Sequence, residues 1–163
     1  MTKLRLILKF IFFLPGTFLH ELTHYVAALI LGKAEGFSVW PKTEGSSIVF
    51  GSVRSRTRFR VLSSFIAAAP ILWWAVLFIA LRYILFGGPE ARTASNNIEA
   101  IIKRLNFSSY VDAIILWLLL QILWAGKLSL QDIKNFFSGL LSISGLVLLA
   151  ILAGAIYITK IAG

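Results

Sequence analysis

Cysteine is absent from the 163-residue chain. Disulfides and thiolate metal sites are therefore excluded, and the redox compartment cannot be read. Charge is scarce as well: 14% of residues are charged, and only seven are acidic. No internal repeat or low-complexity tract appears. Histidine occurs twice, and both copies fall within five residues. What fills the chain instead is apolar sequence. Hydrophobic residues make up 58%, beyond the usual composition of a water-soluble domain.

The net charge is +9. In a nucleic-acid binder the basic residues would form one face of a polar fold. Here they collect between apolar runs, which fits lipid headgroups and orientation signals. A lipid bilayer is the expected partner, and nucleic acid is not. Residues Met1 to Leu14 carry Lys3, Arg5 and Lys9 ahead of an apolar stretch, as a signal peptide does. No small-x-small cleavage site follows, so a retained first membrane helix is expected.

Four apolar segments predict an all-α integral membrane protein, one domain over residues 1–163. The first helix is expected at about 10–31, with a kink or restart at Pro15-Gly16 and Thr17 as its cap. Short strands over 37–40 and 47–53, turning at Pro41 and Gly45, predict a small membrane-associated β-hairpin within 36–55. Arg54, Arg56, Arg58 and Arg60 follow at every second position, reading as a headgroup-contacting edge or, alternatively, as substrate contacts.

The second helix is expected at about 61–86, interrupted by Pro70. An interfacial helix is expected at 97–105, where Ile98, Ile101, Ile102 and Leu105 recur at helical spacing. The third apolar run, Ala113 to Ala125, spans roughly 20 Å, short of a bilayer's hydrocarbon core unless it starts near Tyr110. It predicts a helix over 110–125 that stops at Gly126, then an Asp-bearing turn over 126–138. The fourth helix is expected at 139–160, where Ser138/Ser142 and Ala150/Gly154 suit close helix packing. Orientation is undecided, because seven Lys and Arg fall on one side and eight on the other.

The chemistry concentrates in His20-Glu21-Leu22-Thr23-His24, an H-E-x-x-H motif inside the first helix. Positions i and i+4 share a helix face, so both imidazoles can bind one Zn²⁺. Glu21, one position round, can act as general base on water. Ionisable side chains at lipid depth are costly unless paired or functional.

Catalytic zinc wants a third protein ligand and one open position. Glu44, Glu90 and Glu99 lie in polar loops, Glu35 points back only with difficulty, and Asp112 starts the third segment. Asp132 follows the short third segment on the side of His24 and is the best candidate. Ser129-Leu130-Gln131-Asp132 also fits a capping box, so Asp132 is either a ligand, a helix cap or both.

This pattern resembles the site-2 protease family of intramembrane zinc metalloproteases. The resemblance rests on Phe18 to His24, the strands from Phe37 to Val53, Ala67-Ala68-Ala69-Pro70, and Leu130-Gln131-Asp132. It implies one zinc per chain held by His20, His24 and Asp132, with Glu21 catalytic. The chain departs from that family at Ala69, Trp73, Trp124 and Ile133. Gln121, one turn before Trp124, is then the candidate to polarise the substrate carbonyl.

The expected activity is hydrolysis of peptide bonds within or near transmembrane segments. The substrate is a membrane protein or peptide, held extended along a β-edge that includes Val49, Gly51 and Val53. The alternative is a catalytically degenerate relative that binds metal or substrate helices without cleaving them. A multi-pass protein of a prokaryotic cytoplasmic membrane is expected, with regulation from a membrane partner.

Overall fold

A computed structural model of the chain describes residues 3–44, 47–86 and 109–162. The interfacial helix expected at 97–105 lies outside them. The element order is α1 (Lys3–Leu31), β1 (Lys33–Glu44), β2 (Ser47–Arg56), α2 (Arg60–Ala68), a 3₁₀ turn (Ala69–Ile71), α3 (Leu72–Phe86), α4 (Tyr110–Gly126), α5 (Leu130–Leu140) and α6 (Ile143–Ala162). The protein is mostly helical, with one two-stranded antiparallel sheet.

Two compact units make up the chain: Met1–His20 with Pro70–Lys127, and Glu21–Ala69 with Leu128–Gly163.

In the first unit, α1 contains Pro15, where a kink or restart is expected, and does not restart there. Thr17 is not a cap. It is buried, and its Oγ1 accepts a 3.2 Å hydrogen bond from Trp124 Nε1 on α4. Phe13 stacks on the same indole, with ring centroids 4.2 Å apart. Helix α4 starts at Tyr110, capped by Ser109, and stops at Gly126 as the short apolar run predicts. A Cβ at Gly126 would overlap Trp74 of α3, so the close approach of that indole requires glycine.

In the second unit the strands are longer than expected, and Pro41 lies within β1 rather than in the turn. The register slips between Ser38 and Pro41, leaving Val39 and Trp40 against Gly51 of β2. Pro41 falls at the irregularity where a missing N–H is tolerated. Helix α2 packs on α5 through Ser64, whose Oγ donates to Phe136 O at 2.6 Å. A Cβ at Gly139 would overlap Ser64 Oγ. Helix α6 joins through Ser144 Oγ, which accepts from Val61 N at 3.1 Å. Gly154 is expected in a small-residue contact, but among the described residues a Cβ added there would meet no atom of another element within 4 Å.

The buried side chains are largely small or polar: Thr17, His20, Glu21, His24, Ser64, Gln121 and Asp132 stand with Ala28, Val61, Ile66, Ala67 and Ala125. Large apolar side chains lie outward along α3, α4 and α6. That distribution suits a chain whose solvent is lipid, where burying polar groups is the pressing need.

Among the described residues, two stretches could cross a membrane by length and composition, Arg60–Tyr83 and Ile143–Lys160. The pair Tyr110–Gly126 and Leu130–Leu140 makes a third if it is one span. Among the described residues that is fewer than the four spans expected. Helix α1 is long enough, but His20, Glu21 and His24 interrupt its apolar run.

Candidate metal centre

His20 and His24 lie one turn apart on α1, as their spacing requires. Each ring is fixed by a backbone carbonyl. His20 Nδ1 lies 2.9 Å from Ala125 O, and His24 Nδ1 lies 2.8 Å from Ile66 O. A carbonyl oxygen only accepts, so both Nδ1 atoms carry the proton. The lone pair of each imidazole then resides on Nε2. Fixing the tautomer through Nδ1–H is how metal-ligating histidines are usually oriented.

Both carbonyls are available because a helix ends nearby. Ile66 O accepts from the Ala69 N–H at the end of α2. The amide of residue 70, its ordinary helical partner, is missing because Pro70 has no N–H, which leaves a lone pair for His24. Ala125 O would ordinarily accept from the amide of Ser129. Helix α4 stops before that bond forms, and Ser129 N donates to Asp132 Oδ2 at 2.8 Å instead. A proline and a helix end thus create the two acceptors that aim the histidines.

Asp132 caps α5 and also faces His24. Oδ2 closes the capping box of α5, accepting from Ser129 N and, at 2.6 Å, from Ser129 Oγ. Oδ1 faces His24 Nε2 at 3.2 Å. With Nδ1 protonated, that contact sets a lone pair against a carboxylate oxygen. A proton or a metal ion can bridge the two atoms. The three residues each offer one ligand atom, and these atoms all lie within 4.8 Å of one another. The group His20, His24 and Asp132 could therefore hold a metal ion. Each member, like Glu21, is less than a tenth exposed.

Glu21 abuts the sheet. Gly51 is buried at φ +87°, and a Cβ there would come 2.6 Å from Glu21 Oε1 and 2.5 Å from its Cγ. Glycine is thus required twice, for its backbone conformation and for the room it leaves. Among the expected β-edge residues, the contacts bring Gly51 to Glu21. Val53 pairs with Phe37 across the ladder, and Val49 pairs with Lys42.

The other acidic candidates go elsewhere. Glu35 pairs with Arg56 at 3.6 Å on the sheet surface, and Asp112 sits in the first turn of α4. Glu90 and Glu99 lie outside the described residues. Gln121 is engaged by α1: its Oε1 accepts from Gly16 N at 3.1 Å, and its Nε2 donates to Phe12 O at 3.1 Å. Residue-by-residue reading of the sequence missed Ile66 and Ala125 as parts of the site. The available signal was indirect, namely Pro70 four positions after Ile66 and the capping box after Gly126.

No family model, curated protein or solved structure matches the chain.

Proposed function

We propose that the chain is a membrane-embedded zinc metalloprotease, hydrolysing peptide bonds within or near membrane-spanning segments of other proteins. The observation that carries this reading is the pair of carbonyl-locked histidines facing Asp132, with Glu21 beside them. Two imidazole nitrogens and one carboxylate oxygen are a zinc donor set with a fourth position left for water or substrate. Tetrahedral ligands at about 2.0–2.2 Å from zinc lie roughly 3.3 Å apart. The 3.2 Å between His24 Nε2 and Asp132 Oδ1 fits that spacing.

A bound zinc ion would polarise the scissile carbonyl and acidify water. Glu21 takes the proton from water as its oxygen attacks the carbonyl carbon, then passes that proton to the leaving amine as the C–N bond breaks. The products are a carboxylic acid and an amine. The sheet supplies an edge on β2 beside Glu21, along which an extended substrate strand can pair. In this reading α1, roughly 43 Å long, is a further span and the protein is multi-pass. The resemblance to site-2 proteases supports the same assignment.

The engagement of Gln121 by α1 favours a second reading, metal binding without turnover, because it takes away one side-chain donor for the developing oxyanion. The experiment is Glu21→Gln. A protease loses cleavage of membrane substrates on this change and keeps stoichiometric zinc, read by elemental analysis and comparison of membrane proteomes. Wild type without zinc, or with the same proteome as Glu21→Gln, refutes the protease.

A further inference from the structure

Helix α1 passes through Pro15 without a break, five residues before the first histidine. Proline removes one helix donor and crowds the preceding turn, so a helix usually kinks there or needs outside support. The support comes from Gln121. Its amide bridges Gly16 N–H and Phe12 C=O, the two groups that an uninterrupted helix would pair with each other. At 2% exposure this amide is among the most buried polar groups of the chain.

The bridge is in step with the metal ligand. Gly16 and His20 are one turn apart on α1, and Gln121 and Ala125 are one turn apart on α4. Gln121 holds Gly16, and Ala125 O holds His20 Nδ1. The same faces of two helices therefore meet twice, one turn apart on each. Contact is tight at the first of these points: a Cβ on Gly16 would lie 2.7 Å from Gln121 O and 3.2 Å from Trp124 Cβ.

We propose that Gln121 is a positioning residue for the metal centre, setting the register in which the Ala125 carbonyl meets the His20 ring. The inference rests on His20 being a ligand. A lone asparagine or glutamine in an apolar helix has many uses; here both ends of the amide are fixed on the backbone leading to His20. His24 is an internal control, since its ring is held by Ile66 O, which Gln121 does not touch.

Gln121→Met keeps the length of the side chain and removes both hydrogen bonds. Histidine nitrogen NMR on labelled, metal-free protein reads the two rings separately. In wild type both should be in the Nδ1–H form. In Gln121→Met, His20 should divide between tautomers while His24 is unchanged, and zinc affinity by chelator competition should fall roughly 10- to 100-fold. A variant that melts earlier but keeps the wild-type His20 signal and zinc affinity overturns the proposal, because the amide is then a packing contact. Equal change at both histidines overturns it too. Should Gln121→Met fail to fold, Gly16→Ala perturbs the same contact from α1 and is judged by the same difference between His20 and His24. If wild type takes no zinc, the metal reading fails, and the NMR comparison still decides the role of Gln121.

Discussion

Asp132 divides its two oxygens between a helix cap and His24, so one substitution can separate them. In Asp132→Asn the side-chain carbonyl can remain in the capping box, accepting from Ser129 N and Ser129 Oγ. The new amide nitrogen then replaces Oδ1, 3.2 Å from His24 Nε2. In metal-free protein the contact bridged by a proton in wild type becomes a neutral amide donor facing the imidazole lone pair. That neutral hydrogen bond is worth about 1 kcal/mol. Metal-free Asp132→Asn should therefore stay within about 1 kcal/mol of metal-free wild type and be more stable than Asp132→Ala. Zinc binding should fall at least 100-fold, because a neutral amide is a poor ligand and its N–H occupies the lone pair that zinc needs.

Asp132→Ala tests the complement. It loses the cap, at about 1 kcal/mol, and the ligand together. The assay is thermal unfolding in detergent with and without zinc, combined with chelator competition. Retention of wild-type zinc affinity by Asp132→Asn would refute the ligand assignment. Equal destabilisation of metal-free Asn and Ala variants would refute the division of oxygens.

Gly51→Ala should move Glu21 and leave the metal alone. The positive φ costs about 1–2 kcal/mol for a residue with a Cβ, and the Cβ overlaps the Glu21 carboxylate. A displacement of that order should lower turnover by on the order of 100-fold, with full zinc by elemental analysis; unchanged turnover would show that Gly51 does not seat Glu21. Pro70→Ala restores an amide that competes for Ile66 O. Ile66 O already accepts from the Ala69 N–H, so this second amide competes with His24 for the remaining lone pair: His24 should lose its fixed tautomer, His20 should keep it, and zinc affinity should drop by about 10-fold. A shift at His20 alone would mean that the proline acts elsewhere.

The parts of the site legible in the sequence are those fixed over short distances along the chain. The i, i+4 spacing alone puts His20 and His24 on one face of α1. The stop of α4 at Gly126 follows from the length of an apolar run. The Ser129 to Asp132 capping box is a four-residue pattern, and the structure shows it intact. The antiparallel hairpin is also local, although its strands run longer and Pro41 sits at a slip in register rather than in the turn. The count of spans is not legible in this way, because the same polar motif that marks the site makes α1 less apolar.

Tertiary structure decided what those residues touch. The orienting partners of the histidines are backbone carbonyls 42 and 105 positions away. Every residue has a carbonyl, so none announces itself in the sequence; which ones have a lone pair to spare depends on where helices end. Pro15 breaks helices by local rules, yet α1 continues, because a side chain 105 residues later meets the backbone groups at that turn. Gly51 reads in sequence as a flexible strand residue, and its requirement appears once Glu21 lies against it. Side-chain periodicity is a property of one segment and can be read from that segment. Unsatisfied backbone groups and close approaches are properties of pairs of segments, and they exist only after the chain has folded.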